Sequence, residues 1–110
     1  MRGYFADELL LMLPLAESPG VCLRGEVLGA HQGPLAVALT DELARTDVII
    51  LDLTGVSFVS NSVLQTLTLF ACRLSPPQCL LVKAGAELGL GERGDAYGWD
   101  QIATLSLIEA

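Results

Sequence analysis

Apolar residues along the chain fall into short blocks separated by Gly, Pro, Ser and Asp, and the spacing inside each block sets the element it predicts. Val48 to Leu51, bounded by Asp47 and Asp52, is β-branched and too short for a helix, which suits a strand buried on both faces. A polar turn from Ser57 to Ser62 follows, and Val63, Leu67, Phe70 and Leu74 then recur at helical spacing. The stretch from Val48 to Leu74 therefore predicts strand, turn and helix.

Upstream, Leu9 to Leu13 fits a strand or one helical turn, and its neighbours favour an edge strand. Val21 to Leu28 alternates, with Val21, Leu23 and Gly25 on one face and Cys22 and Arg24 on the other. Gly29, His31, Gln32 and Gly33 make a turn, and Pro34 suits the first position of a helix because its missing N–H costs nothing there. Leu35, Leu39 and Leu43, spaced by four, carry that helix. Downstream, Ser75-Pro76-Pro77 stops the second helix, and Cys79 to Val82 predicts a buried strand beside the Val48 strand. Five glycines between Gly85 and Gly98 leave room only for a short helix near Ala86 to Leu90. Ile102 to Ile108 fits a final strand or the start of a terminal helix.

Strands alternating with helices give an α/β layer with helices against a sheet. Right-handed crossovers would bring the strand-to-helix turns to one edge of that sheet, making His31 and Asn61 neighbours. At 110 residues the chain is expected to be one domain, 1–110.

Composition narrows the function classes. The chain is 52% hydrophobic and only 17% charged, with a mean hydropathy of +0.54, so either the core is dense or apolar surface meets a partner, a homodimer included. Six basic against 13 acidic residues give a net charge of −7, which argues against nucleic acid and against anionic lipid. Cys22, Cys72 and Cys79 are odd in number and without metal-site spacing, so a reducing, cytoplasmic setting is the simple expectation. Leu9 to Leu15 lacks the basic flank of a signal peptide, since Asp7 and Glu8 precede it. No run approaches the roughly 20 apolar residues that span a bilayer.

Candidate chemistry concentrates at the central turn. Ser62 and Gln65 fit a capping box, with Asn61 the alternative N-cap, and either choice exposes a helix N-terminus with spare N–H donors. His31 is the only histidine, and no Ser/His/Asp set can be placed around it. Asp52 has no evident acid–base partner, and Gly85 to Gly94 fits no phosphate-binding loop. Tyr97 and Trp99 are packing residues on this reading. No catalytic residue, metal or cofactor is expected.

The run L-D-L-T-G-V-S-F-V-S-N-S-V-L, Leu51 to Leu64, resembles the signature of STAS domains, the anti-sigma factor antagonist family, whose pattern is L-D-L-S-x-V-T-F-hydrophobic-D-S-S-G-L. Arg24 to Leu28 resembles the family's G-E-L-D strand end, and Gly98 to Leu105 its G-L-D segment before a T-V pair. The resemblance implies a STAS-like mixed sheet of about four to five strands with helices mainly on one face. It also implies a non-enzymatic protein-binding role: docking on an anti-sigma kinase, broken when that kinase phosphorylates a serine at the N-terminus of the second helix. The phosphoacceptor position falls on Asn61, which has no hydroxyl; Ser60 replaces the family Asp, Val63 the Gly, and Leu28 the Asp of G-E-L-D. The usual switch is thus expected to be absent, with Ser60 and Ser62 as alternative acceptors. The expected partner surface combines Ser57, Ser60, Asn61, Ser62 and Gln65 with His31 and Gln32. A STAS subunit of a membrane transporter, or a small-ligand or nucleotide sensor, are the alternatives.

Overall fold

A computed structural model describes residues 4–109 as an α/β fold built on one six-stranded mixed sheet. Its strands are β1 (Phe5–Ala6), β2 (Leu10–Pro14), β3 (Gly20–Val27), β4 (Val48–Val59), β5 (Cys79–Ala84) and β6 (Leu105–Glu109), and they lie in sequence order across the sheet. The first three pair antiparallel; β3 to β6 are parallel, linked through α1 (Gln32–Leu43), α2 (Asn61–Cys72) and α3 (Leu90–Asp95). The strand count exceeds the expected four to five. The two-residue β1 pairs outside β2, so Leu10–Pro14 is not the edge strand its position in the sequence suggests.

The central strand is also longer than its apolar run. Val48 pairs with Cys79 at one end and Val59 with Val27 at the other. Two register shifts against β3 break the alternation: buried positions run Ile49, Leu51, Leu53, then Val56, then Val59. Each bulge inserts one residue and moves the inward phase by one, so a period-two reading loses the strand where the ladder continues. Ser57 and Phe58 belong to this strand, and the expected turn contracts to Ser60. Burial on both faces is not observed. The inner face of β4 lies in the core with Leu23, Leu39, Leu64, Leu67 and Val82, whereas Val48 is 46% exposed and Ile50 only half-buried.

Helix α1 starts two residues before Pro34, and Leu35 and Leu39 carry its buried face. The glycine-rich segment is more ordered than its composition suggests. A 3-10 turn at Ala86–Leu88 leads through Gly89, at φ +63°, into α3, and Trp99 closes the core beneath it. Thr68 accepts the Trp99 Nε1–H at 2.8 Å. Ile102–Ile108 resolves to strand β6. Among the described residues no helix is long and apolar enough to cross a membrane.

One polar anchor fastens the N-terminal strands to α1. Buried Glu42 accepts the Gly20 N–H at 2.9 Å and bonds to the hydroxyl of Tyr4 and to Arg45, at 2.7 Å for the latter. Burial, with the hydrogen bonds to Glu42 and Asp41, pushes the Tyr4 phenol up to about 12. Gly25, at φ +111°, lets β3 approach β2 so closely that a Cβ there would lie 2.0 Å from the Leu9 carbonyl oxygen. Replacing Glu42 with Ala leaves the buried Gly20 N–H without an acceptor and is expected to cost about 2–4 kcal/mol in urea unfolding. Glu42→Gln, which keeps an acceptor, should recover a large part of that loss.

Candidate functional site

The expected site forms where β4 hands over to α2. Ser60 is extended and donates its N–H to Val27 at 2.9 Å, and its carbonyl accepts from Val63 and Leu64 at 3.1 and 3.3 Å. The helix therefore begins at Asn61, with Ser60 as N-cap. The Ser62–Gln65 capping box does not form, because the helix starts too early for Ser62 to sit at its cap. Ser60 makes no side-chain cap bond either; its hydroxyl pairs with that of Ser62 at 2.9 Å.

Two residues unforeseen in the sequence complete the site. Arg93 of α3 donates to the Val59 carbonyl at 2.5 Å and to Asn61 Oδ1 at 3.0 Å. The Tyr97 hydroxyl donates to the Asn61 carbonyl at 3.3 Å. Asn61 is exposed, with its side-chain carbonyl held by the guanidinium, and its amide nitrogen makes no hydrogen bond to a described residue. A guanidinium beside a helix N-terminus makes this a locally positive spot on an acidic chain. The signal for Arg93 was hidden because a cation inside a five-glycine segment suggests a solvated loop.

The other expected residues separate by depth. Ser57 and Gln65 are exposed, and Phe58, not among the expected residues, is 47% exposed next to Ser57 on β4. Gln32 is half-buried and donates to the Ser62 carbonyl at 2.9 Å and the Thr66 hydroxyl at 2.6 Å, which ties α1 to α2. The turn before α1 also touches the site: a Cβ at Gly29 would lie 3.1 Å from Ser62 Oγ. The two loops are thus neighbours, as the crossover rule requires.

His31, in contrast, is 2% exposed and does not line the surface. Its Nδ1 accepts the Leu28 N–H at 2.9 Å, so the ring proton resides on Nε2 and is donated to Asp7 Oδ2 at 2.8 Å. Phe5 packs edge-on against the ring. His31 is a brace under the turn, linking it to the N-terminal strands. Asp52, placed at a strand end by the sequence, lies within β4 and accepts from the N–H and hydroxyl of Thr54 at 2.9 and 2.6 Å. A shallow cleft of about 400 Å³ lies along Ala36, Val37, Thr40 and Asp41 of α1. No group of three His, Cys, Asp or Glu suited to a metal ion occurs among the described residues. Comparison with protein-family models and with curated proteins finds no match to either.

The brace predicts a pH dependence. The hydrogen bond from His31, then the N–H groups of Leu9 and Leu10, hold the Asp7 carboxyl below its usual range. A carboxyl depressed in the fold contributes stability above its unfolded value, near 3.9, and loses it as pH falls through the lower folded value. The difference in urea midpoint between the wild type and Asp7→Asn should be full at about pH 6 and shrink progressively below about pH 4. A difference independent of pH would show that the charge of Asp7 is irrelevant.

Proposed function

We propose that this chain is a STAS-like, non-enzymatic interaction module, an atypical anti-sigma factor antagonist that docks on an anti-sigma kinase through the N-terminus of α2. The observation that carries the reading is the placement of Asn61. It is an exposed, uncharged residue at the first position of the helix, at the point where a switch of this kind places its serine. The sequential sheet, with three helical crossovers through adjacent parallel strands, supports the same reading.

The docking surface is Ser57, Phe58, Asn61 and Gln65, all exposed, with Ser60 and Ser62 behind them and Gln32 and His31 as its support. Phe58 supplies the apolar anchor that such surfaces concentrate their binding energy on. In a switched module, phosphate adds about −1.5 to −2 charge at the contact and breaks it. Asn61 offers no hydroxyl, and the hydroxyls of Ser60 and Ser62 are half-buried and bonded to each other. The module therefore binds without phosphate control.

Incubation with the cognate anti-sigma kinase and ATP should leave the intact mass of the wild type unchanged, whereas Asn61→Ser should gain one phosphate and lose the complex. Stoichiometric phosphate on Ser60 or Ser62 of the wild type would overturn the unswitched reading. Phe58→Ala should weaken binding by roughly tenfold or more in calorimetry, and unaltered affinity would move the interface elsewhere.

A further inference from the structure

The hairpin that joins β2 to β3 leans over the sheet face turned away from the helices and leaves a cleft beneath it. Leu15 donates its N–H to the Gly20 carbonyl at 3.0 Å, which closes the hairpin between Pro14 and Pro19. Gly20 makes the close approach possible: a Cβ there would lie 2.2 Å from the Ile50 carbonyl oxygen and 2.7 Å from Leu15 Cδ1. The cleft, of about 290 Å³, is lined by Leu15 to Ser18 of the hairpin and by Ile50, Asp52 and Lys83 of β4 and β5. Small-molecule sites begin near about 300 Å³ and combine an apolar wall with a few convergent polar groups. Leu15 and Ile50 supply the wall here, and Glu17, Asp52 and Lys83 the charges.

Those charges are only partly satisfied within the chain. Asp52 Oδ1 accepts both bonds from Thr54, and Oδ2 has no described partner. The half-buried Lys83 side chain makes no hydrogen bond or ion pair with a described residue, although Asp52 is its register partner on the next strand. The ammonium offers three donors and the free carboxylate oxygen accepts. A simple anion in this cleft meets two carboxylates, Asp52 and Glu17, and a simple cation meets Lys83. A neutral apolar molecule strips water from both charges and gives neither a partner. A ligand that carries both signs close together satisfies all three constraints.

We propose that this cleft binds a small zwitterion, an α-amino acid with an apolar side chain. The ligand ammonium donates to Asp52 Oδ2, and exposed Glu17 at the mouth of the cleft adds a second acceptor. The ligand carboxylate accepts from Lys83 Nζ, and the side chain lies against Leu15 and Ile50. Neighbouring strands run about 4.8 Å apart, so Asp52 and Lys83 stand side by side. A ligand whose two charged groups share one carbon spans that pair, whereas one with its charges at opposite ends of a chain overshoots it. Ile50 and Asp52 alternate with the buried Ile49, Leu51 and Leu53, which places the cleft on the sheet face opposite α2. The site is therefore separate from the Asn61 surface.

Titrating the full chain with L-leucine, followed by amide NMR, should give saturable shifts at residues 15–18, Asp52 and Lys83, with a dissociation constant of about 1 mM. Isoamylamine and isocaproate keep the leucine side chain with one charge each, and glycine keeps both charges without the side chain. Each of the three should bind at least roughly tenfold more weakly, as should ε-aminocaproate, whose charges lie at opposite ends. Lys83→Met, which keeps the apolar stem, and Asp52→Asn, which keeps an acceptor for Thr54, should each weaken leucine binding by roughly tenfold. If Asp52→Asn loses its native circular dichroism, Glu17→Gln replaces it and must weaken binding by roughly threefold. The proposal is overturned if leucine gives no saturable shift up to about 20 mM, the result expected if Asp52 and Lys83 pair with each other in solution. It is equally overturned if the amine or the acid alone binds as tightly as leucine, or if Lys83→Met leaves the affinity unchanged.

Discussion

The parallel pairing of β4 with β3 on one side and β5 on the other is the constraint from which the rest follows. A parallel pair needs a crossover, and each crossover here is a helix that packs back on the sheet. The buried positions of β4 form the middle of the core, and the end of the strand aims Ser60 and Asn61 at one edge. Its two bulges fix where the inward phase falls, so that Val56 and Val59 remain buried while Ser57 and Phe58 face outward. Without those inserted residues strict alternation would turn Ser57 inward and Val56 outward, and the core would lose an apolar side chain beside β3.

Around that strand end the polar groups hold one another. Arg93 reaches across from α3 to the Val59 carbonyl and the Asn61 side chain, and Tyr97 reaches the Asn61 backbone. Gln32 fastens the start of α1 to the first turn of α2, and His31 transmits the position of that turn to Asp7. The surface is therefore preorganised by hydrogen bonds from three separate segments. A rigid contact surface pays less ordering entropy when it binds, which suits a module whose contact is not gated by a covalent charge.

What was legible in the sequence follows from which interactions are local. Helices α1 and α2 repeat apolar residues at three and four, and Ser75-Pro76-Pro77 ends one of them, so both were readable. The adjacency of His31 and Asn61 followed from crossover handedness alone. Strand β4 was read too short because a bulge is set by the partner strand and leaves no periodic mark. The capping box failed for a related reason: the helix start is fixed by Ser60 bonding to Val27, a contact 33 positions away in sequence. Arg93 and Tyr97 were missed because their partners, Val59 and Asn61, are more than 30 residues distant. His31 looked like a loop residue, and only the fold reveals the Asp7 carboxylate beside it.

The high apolar content acquires a structural meaning in the one-sided sheet. A chain that is 52% hydrophobic and 17% charged has more apolar surface than a core of this size absorbs when helices cover a single face. The exposed large apolar side chains are divided between the sheet, with Leu11, Val48, Phe58 and Ile108, and the helices, with Val37 and Leu69. Phe58, the register partner of Glu26, lies on the sheet face turned away from the helices, whereas Asn61 opens α2 on the other side.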